Sequence, residues 1–231
     1  MAIKRILLTG RPNVGKSCLF NNLSTSYATV SNYPGTTVGV TRGSLKGFKQ
    51  IKTNENCHSA SDEAQNSNKE VVEGAIEILD LPGMYHFVPI TDEERVASNA
   101  ILSADDAILI HVVEASKLPV HLPMTCLLKN IGKPFILVVN MIDEAVTKGI
   151  QIDYEALSKR LSVPVVPVSA INKQGIEELK NVINEIINNQ IKTNSIKSSW
   201  PPFLFDNLEN QAIGEIKKHS LEKNIPPELF A

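Results

Sequence analysis

Short apolar runs alternate with segments of helical periodicity along the first 190 residues. Runs of this kind predict strands that are buried on both faces of a sheet. They lie near residues 3–9, 38–48, 71–79, 107–113, 134–140 and 164–168. The helical patterns begin near residue 16 and recur at 92–103, 121–130, 153–161 and 174–189. This alternation predicts an α/β domain over residues 1–190, with a mostly parallel sheet and helices on both faces.

Two stretches do not fit this alternation. Residues 49–70 are polar and rich in Ser and Asn, which predicts an inserted loop. Residues 191–199 are polar and predict a linker, and residues 200–231 predict part of a helical domain. A second helical start near residue 226 is cut short by the end of the chain, and a helix of one turn does not hold together alone. We therefore expect a short C-terminal helical segment that continues in the native protein.

Composition narrows the classes of protein. The chain has 231 residues and a formal net charge of −2, which gives no reason to expect nucleic-acid binding. Its three cysteines lack C-x-x-C spacing, as expected for a reducing cytosol. The apolar runs are too short to span a bilayer, and the first strand leaves no room for a signal peptide. We expect a soluble fragment.

Residues 10–17 read GRPNVGKS and match the phosphate-loop pattern G-x-x-x-x-G-K-[ST]. The motif lies between a predicted strand and a predicted helix, which is the context it requires. Gly10 and Gly15 allow a tight backbone turn whose N–H groups face phosphate oxygens. Lys16 would bind the β- and γ-phosphates, and the Ser17 hydroxyl would ligate Mg²⁺.

A second motif, Asp80-Leu81-Pro82-Gly83, follows the predicted strand that ends near residue 79. In phosphate-loop enzymes, an Asp at this place holds Mg²⁺, usually through water, and a following Gly presents its N–H to the γ-phosphate. Alone, the same tetrapeptide would be an ordinary turn. Together with the phosphate loop it predicts a nucleoside triphosphate site.

Two further motifs specify the base. Asn140-Met141-Ile142-Asp143 follows an apolar strand and resembles the N-K-x-D element of GTPases, whose Asp accepts hydrogen bonds from guanine N1 and N2. Adenine lacks that pair of donors. Ser169 and Ala170 close the next strand and resemble the last guanine-contacting element, in which backbone N–H groups meet the base. The four motifs resemble translation-factor-type small GTPases over about residues 1–190.

A GTPase also needs a threonine in the loop after its first helix. The Thr hydroxyl ligates Mg²⁺ and its N–H meets the γ-phosphate, so hydrolysis releases the loop. Residues 31–38 read SNYPGTTV and offer both Thr36 and Thr37. The residues alone do not choose between them.

The same loop resembles one GTPase family in particular, the ferrous-iron transport protein B (FeoB) family. Its N-W-P-G-x-T-V stretch corresponds to N-Y-P-G-T-T-V here, with Tyr33 in place of Trp. Met141 replaces the Lys of many GTPases, as it does in this family. The resemblance covers nearly the whole chain outside residues 49–70, and its other segments are 80–85, 91–97 and 161–166.

This resemblance implies the GTP-hydrolysing cytosolic domain of a bacterial Fe²⁺ transporter, at the cytoplasmic face of the inner membrane. The partner is then a membrane-spanning domain of the same polypeptide, outside this chain, and no nucleic acid is expected. The oligomeric state stays open, with a homo-oligomer among the alternatives. The resemblance selects Thr37 as the Mg²⁺ ligand. An alternative is a soluble ribosome- or RNA-associated GTPase, and another is a nucleotide sensor that hardly hydrolyses GTP.

Two positions suggest how hydrolysis proceeds. Met84 stands where Ras-like enzymes have a Gln that orients water, and a thioether cannot donate a hydrogen bond. The simpler interpretation of Met84 is packing. Asn13 resembles the Asn that helps coordinate K⁺ in potassium-activated GTPases, where the cation replaces an arginine finger. Its simpler interpretation is a loop residue that tolerates a turn. We expect slow, K⁺-stimulated hydrolysis.

The expected cofactors are GTP or GDP, Mg²⁺ and K⁺. The predicted catalytic residues are Asn13, Lys16, Thr37 and Gly83. The predicted metal ligands are Ser17, Thr37 and Asp80 for Mg²⁺, and Asn13 for K⁺. The predicted nucleotide-binding residues are Gly10, Arg11, Pro12, Asn13, Val14, Gly15, Lys16, Ser17, Gly35, Thr36, Thr37, Val38, Asp80, Leu81, Pro82, Gly83, Asn140, Met141, Ile142, Asp143, Ser169 and Ala170.

Other polar residues receive structural interpretations. His111 is expected at a strand end as a hydrogen-bonding residue, and His86 near the nucleotide is a weak candidate for catalysis. Glu93 and Glu94 are expected to act as first-turn acids that favour a helix dipole. The residues expected on the surface, without a metal site, are Cys57, His58, His121 and His219.

Overall fold

The computed structural model describes residues 3–25, 29–33, 36–45, 50–51, 71–72 and 76–189. The strands within these ranges are β1 (Arg5–Thr9), β2 (Thr29–Asn32), β3 (Gly39–Ser44), β4 (Gln50–Ile51), β5 (Val71–Val72), β6 (Glu77–Asp80), β7 (Ala107–Glu114), β8 (Phe135–Asn140) and β9 (Val165–Pro167). The helices are α1 (Lys16–Leu23), α2 (Asp92–Ser103), α3 (Leu118–Lys129), α4 (Ile142–Thr147), α5 (Tyr154–Leu161) and α6 (Ile176–Asn189).

Seven of these strands form one sheet in the order β2-β3-β6-β1-β7-β8-β9. The strands from β6 to β9 pair in parallel, whereas β2 and β3 are antiparallel to their neighbours. The short strands β4 and β5 pair separately. The predicted mostly parallel sheet is therefore confirmed, with an antiparallel extension at one edge.

Helices cover both faces of the sheet because side chains alternate along each central strand. On β1, Leu7 joins one apolar cluster with residues of α2 and α3. Its neighbours Ile6 and Leu8 join the other cluster, with residues of α1 and α6. All eight residues of β7 are buried, as expected for the centre of a sheet covered on both sides.

Several boundaries differ from the predicted ones. The run at 71–79 is interrupted, and only its end forms the sheet strand β6. The helix predicted from residue 121 begins at residue 118. The elements that were not predicted include the edge strand β2, whose side chains are largely exposed, and the six-residue helix α4. Neither segment has the apolar periodicity that predicts a strand or a helix.

Within the described ranges, no helix has both the length and the apolar character needed to cross a bilayer. The polar segment predicted at 49–70 contributes only Gln50 and Ile51 to the described structure. The predicted linker 191–199 and helical segment 200–231 lie outside the described residues, as do Cys57, His58 and His219.

Candidate functional site

The four predicted motifs meet at one edge of the sheet. The phosphate loop follows β1, Asp80 ends β6, Asn140 ends β8, and Ser169 comes shortly after β9. These strands are parallel, so their carboxyl ends lie side by side. Open α/β sheets bind ligands along this edge.

The phosphate loop packs so closely against its neighbours that two positions admit only glycine. At Gly10 (φ +150°), a Cβ would lie 2.3 Å from the Val112 carbonyl oxygen on β7. At Gly15 (φ +87°), a Cβ would lie 2.3 Å from Asn140 Nδ2. Both are backbone conformations that other residues rarely adopt. Any larger residue would push the loop away from β7 or from the end of β8.

Lys16 lies inside this loop with only 8% of its surface exposed. Its Nζ donates hydrogen bonds to the carbonyl oxygens of Gly10, at 3.2 Å, and Arg11, at 3.1 Å. Burial lowers the pKa of Lys16, and the nearby charge of Asp80 opposes that shift. The ammonium is therefore held at the loop by neutral acceptors, ready to bind an anion there.

Ser17 and Asp80 form a pair suited to a hard cation. Ser17 Oγ donates to Asp80 Oδ2 at 2.6 Å, which leaves the hydroxyl lone pairs for a metal. Asp80 Oδ1 is buried without a hydrogen-bond partner among the described residues. Burial raises the pKa of Asp80, while the Ser17 hydrogen bond and Lys16 oppose the shift. Mg²⁺ is typically bound by few carboxylates together with water and phosphate oxygens, so this donor set fits it.

Asn140 joins the phosphate loop to the loop that follows β9. Its Nδ2 donates to the Val14 carbonyl oxygen at 2.9 Å, and its Oδ1 accepts from the Ala170 N–H at 3.0 Å. Asn22 of α1 adds a bond from its Nδ2 to the Ala170 carbonyl oxygen, at 2.7 Å. Because Asn140 is 2% exposed, these bonds are shielded from water.

The turn that presents Asp143 begins at Met141, which has left-handed backbone geometry (φ +61°). The Ile142 N–H then donates to the Val168 carbonyl oxygen as α4 starts. Asp143 is partly exposed, and its Oδ2 accepts from Asn172 Nδ2 at 3.4 Å. Ser169 is buried and pairs through its backbone with Gln174. The partly exposed carboxylate of Asp143 can therefore accept further hydrogen bonds.

The two threonines after α1 differ in their contacts. The Thr36 hydroxyl donates to the Tyr33 carbonyl oxygen at 3.0 Å and accepts from the Val38 N–H at 3.3 Å. Thr37 is exposed, and its side chain makes no hydrogen bond within the described part of the chain. Pro34 and Gly35 of the same loop lie outside the described residues.

Residues 83–90, here called the switch segment, begin against the phosphate loop. A Cβ at Gly83 would lie 2.6 Å from Pro12 Cγ, and the Met84 N–H donates to the Gly10 carbonyl oxygen at 3.1 Å. Met84 is fully buried, and its sulfur accepts from Thr9 Oγ1 at 3.1 Å. The packing role considered for Met84 is therefore the one observed.

Glu94 has a further role that the sequence interpretation missed. It lies in the first turn of α2, as expected, but it is only 4% exposed. Its carboxylate accepts from the N–H groups of Tyr85, His86 and Ile90 at 2.9, 3.1 and 2.9 Å. Burial pushes its pKa up, but the N–H donors outweigh burial and hold the pKa below its ordinary value. Glu94 ties the switch segment to α2.

A sequence signal for this role was present. Thr91 and Glu94 have the S/T-x-x-E spacing of a capping box, in which the Glu side chain reaches back past the helix start. Thr91 caps α2 by accepting from the Glu94 N–H. The carboxylate reaches further back than a capping box requires, to the switch segment.

The histidines also depart from expectation. His111 lies within β7 and not at its end, and it is fully buried. Its Nδ1 lies 3.1 Å from Thr125 Oγ1. Burial, followed by the charges of His121, Lys16 and Arg11, lowers its pKa to about 3. His121 was expected on the surface but is 2% exposed, and it lies on the buried side of α3 with Leu118, Met124 and Thr125.

The remaining predicted residues lie along the same edge. Asn13 is exposed and has left-handed backbone geometry (φ +64°). Val14 and Leu81 are buried, and Leu81 N–H donates to the Leu8 carbonyl oxygen. His86 is exposed, with its Nδ1 3.6 Å from Glu94 Oε1. No cluster of three or more His, Cys, Asp or Glu residues suited to a metal occurs in the described ranges.

The sequence of this chain is similar to those of known proteins. The family model described as ferrous iron transport protein B matches residues 4–56 and 56–183. The Fe(2+) transporter FeoB of Escherichia coli K12 is 35% identical over 181 residues, covering 77% of this chain and 20% of that protein. The chain spans between a fifth and a quarter of the length of the curated relatives it matches.

Solved structures resemble the fold as well. The cytosolic domain of Legionella pneumophila FeoB has a TM-score of 0.67 and 28% identity, covering 98% of this chain and 84% of that one. A GDP-bound mutant of Streptococcus thermophilus NFeoB has a TM-score of 0.66 and 30% identity, covering 94% and 72%. The fold described above is therefore similar to that of these solved FeoB domains.

Proposed function

The chain belongs to the ferrous iron transport protein B family, and we propose that it binds GTP and hydrolyses it to GDP and phosphate. One observation carries the proposal. Asn140 bonds the Val14 carbonyl oxygen of the phosphate loop and the Ala170 N–H of the base loop, so phosphate and base elements form one unit. The GDP held by the Streptococcus thermophilus relative supports the class of ligand.

Phosphate binding rests on the loop and on Lys16. The loop N–H groups and the N-terminus of α1 favour anionic oxygens. Lys16 would exchange its two carbonyl acceptors for β- and γ-phosphate oxygens. Mg²⁺, held by Ser17 and Thr37 and through water by Asp80, supplies charge neutralisation at the phosphates when bound. Thr37 is favoured over Thr36 because the Thr36 hydroxyl already has partners.

Base recognition rests on Asp143. Its carboxylate would accept from guanine N1 and N2, with Asn172 holding one oxygen in place. The Ser169 and Ala170 N–H groups already donate to the Gln174 carbonyl oxygen and to Asn140 Oδ1, so these two residues would border the base and hold its loop in place. An adenine nucleotide would leave the carboxylate without donors, which is costly.

Hydrolysis would be slow without help. The Met84 side chain is fully buried and its sulfur accepts from Thr9 Oγ1, so it has neither the chemistry nor the position to orient a water. Asn13 is exposed at the bend of the phosphate loop, where its oxygen is available to a K⁺ ion beside the β- and γ-phosphates. A cation there would stabilise the charge that develops during phosphoryl transfer. Gly83 would present its N–H to the γ-phosphate.

In the whole protein, GTP-driven movement of the switch segment would act on Fe²⁺ transport by a membrane domain outside this chain. The Fe(2+) transporters among its relatives support this, since the chain covers about a fifth of their length. This site would lie at the cytoplasmic face of the inner membrane. The family match favours this role over that of a ribosome- or RNA-associated GTPase.

The test is steady-state GTP hydrolysis in matched KCl and NaCl buffers, for the wild type and Asn13→Ala. We expect K⁺ stimulation in the wild type and its loss in the variant, with GDP binding retained. Equal rates in the two salts would remove the K⁺ role. Failure to bind fluorescent GDP at all would overturn the nucleotide assignment itself.

A second test addresses the role in transport. In cells carrying the full-length polypeptide, Lys16→Ala should abolish Fe²⁺ uptake while the protein stays in the membrane fraction. Uptake that survives the variant would separate the nucleotide site from transport. Recovery of the native protein with ribosomes instead of membranes would favour the alternative.

A further inference from the structure

We propose that Arg11 is a positioning residue that holds the switch segment beside the phosphate loop and thereby sets the preference for GTP over GDP. The inference rests on the proposed function, because it assumes a γ-phosphate that the switch segment contacts. Arg11 belongs to the phosphate loop, but its side chain reaches away from the loop towards Tyr85 and Val120.

The Arg11 side chain contacts two other elements. Its guanidinium carbon lies 5.6 Å from the centre of the Tyr85 ring, within the range of a cation–π interaction. Its Nη2 donates to the Val120 carbonyl oxygen of α3 at 3.3 Å. One side chain thus links the phosphate loop, the switch segment and α3.

Arginine suits this position because its planar group can stack on a ring and donate sideways at the same time. A lysine would supply the charge but not the planar group with its several N–H donors. The nearby imidazoles of His111 and His121 are buried and uncharged at neutral pH, since burial lowers the pKa of each. The guanidinium therefore meets no competing cation from these two rings.

Arg11 completes a grip on the switch segment from two sides. Glu94 accepts three N–H groups of the segment and ties its backbone to α2. Arg11 holds the Tyr85 ring on the side of the phosphate loop. Between them, the close approach of Gly83 to Pro12 places the segment where a γ-phosphate would reach the Gly83 N–H.

A segment that is already in place loses less conformational freedom when the triphosphate binds. GDP has no γ-phosphate and gains nothing from this arrangement. Without the Arg11 contact, the triphosphate would have to order the segment itself. The contact should therefore raise the affinity for GTP and leave the affinity for GDP unchanged.

The experiment measures dissociation constants for GDP and for a non-hydrolysable GTP analogue. The variants are Arg11→Met, which keeps the stem without the charge, Tyr85→Leu and the double variant. Tyr85→Phe keeps the ring, and Arg160→Met removes an exposed arginine on α5 as a matched control. We expect Arg11→Met and Tyr85→Leu each to weaken the analogue about two- to fivefold, with GDP unchanged.

The double variant should be no weaker than either single variant, and Tyr85→Phe and Arg160→Met should bind like the wild type. Additive losses, or equal losses for GDP and the analogue, would overturn the positioning role. If the wild type binds neither nucleotide, the proposed function fails before Arg11 is tested. If it binds both and the variants match it, only the role of Arg11 falls.

Discussion

The two ends of the candidate site are built differently. The base side comprises β8, β9 and the loops after them; these strands are parallel, all of β8 is buried, and Asn140 bonds the loops from within. The switch side comprises β2, β3 and the switch segment. Its edge strand β2 is largely exposed, and the switch segment carries the exposed side chains of Tyr85, Val88 and Ile90.

Under the proposed function, this difference matches what each end would have to distinguish. The base is common to GTP and GDP, so a fixed base side contributes equally to the affinity for each. Only the γ-phosphate differs, and an element that responds to it must have a second arrangement within a few kcal/mol. Variants on the base side should therefore affect both nucleotides equally, and variants on the switch side only one.

The largest effect is expected at Asp143. Asp143→Asn removes a charged acceptor for the guanine donors, which should cost about 3–4 kcal/mol, or roughly 100- to 1000-fold in affinity. Titration with GDP and a GTP analogue should give equal losses. Glu144→Gln, a change at the exposed neighbouring acid, is the control and should have little effect. An unequal loss would break the division between the two sides.

Asn140→Ala should destabilise the fold by about 2–4 kcal/mol. It leaves the Val14 carbonyl oxygen and the Ala170 N–H buried without partners, and it opens a small gap. Urea unfolding measures the loss, with Asn188→Ala on the exposed face of α6 as the control. A loss below about 0.5 kcal/mol, the range of ordinary surface changes, would show that the base side is less fixed than its bonds indicate.

A fall in pH should destabilise the region around His111, where β7 contacts α3. His111 has a pKa of about 3 when folded, against an ordinary value of 6.5, so it resists protonation. Its contribution to stability is present above pH 6.5 and is lost as the pH falls towards 3. Between pH 7 and pH 5 the loss should be about 2 kcal/mol.

His111→Asn stays neutral throughout and should flatten this part of the pH dependence of unfolding. The titratable groups that bear on His111 are His121, Lys16 and Arg11, and none of them is replaced in the variant. Parallel pH profiles for wild type and variant would show that His111 is not the group that titrates.

The smallest effect is expected at Glu94. Glu94→Gln replaces a charged acceptor of three N–H groups with one amide oxygen, at a local cost of about 1–2 kcal/mol. Hydrogen exchange at the amides of Tyr85, His86 and Ile90 should accelerate roughly 5- to 30-fold. Exchange at Ala170 should not change, and neither amide set should respond to Glu93→Gln.

The sequence was sufficient wherever the signal was local. The strand–loop–helix at Gly10–Ser17 and the motifs at Asp80 and Asn140 each follow an apolar run, and parallel strand ends must meet. Strand β2 was not predicted because an exposed edge strand needs no alternation of apolar and polar residues. Helix α4 escaped because six residues are too few to show a helical period.

Side-chain roles were harder to predict than strands. Glu94 looked like an ordinary first-turn acid because its partners lie in an irregular segment whose path no periodicity gives. His121 was expected on the surface, but it is one of the buried residues of α3, which begins at residue 118. The contacts of Glu94 and the burial of His121 both depend on how elements pack together, and the pattern of a single sequence does not show this.

The close fit of Gly15 against Asn140 also bears on attempts to redesign nucleotide choice. A side chain at position 15 would collide with the amide that joins the two loops, so these positions cannot be varied independently. A library that aims at a different base should keep both fixed and randomise Asp143 and Asn172, which border open space. Recombination with distant homologues should likewise exchange residues 10–17 and 140–143 together, or neither.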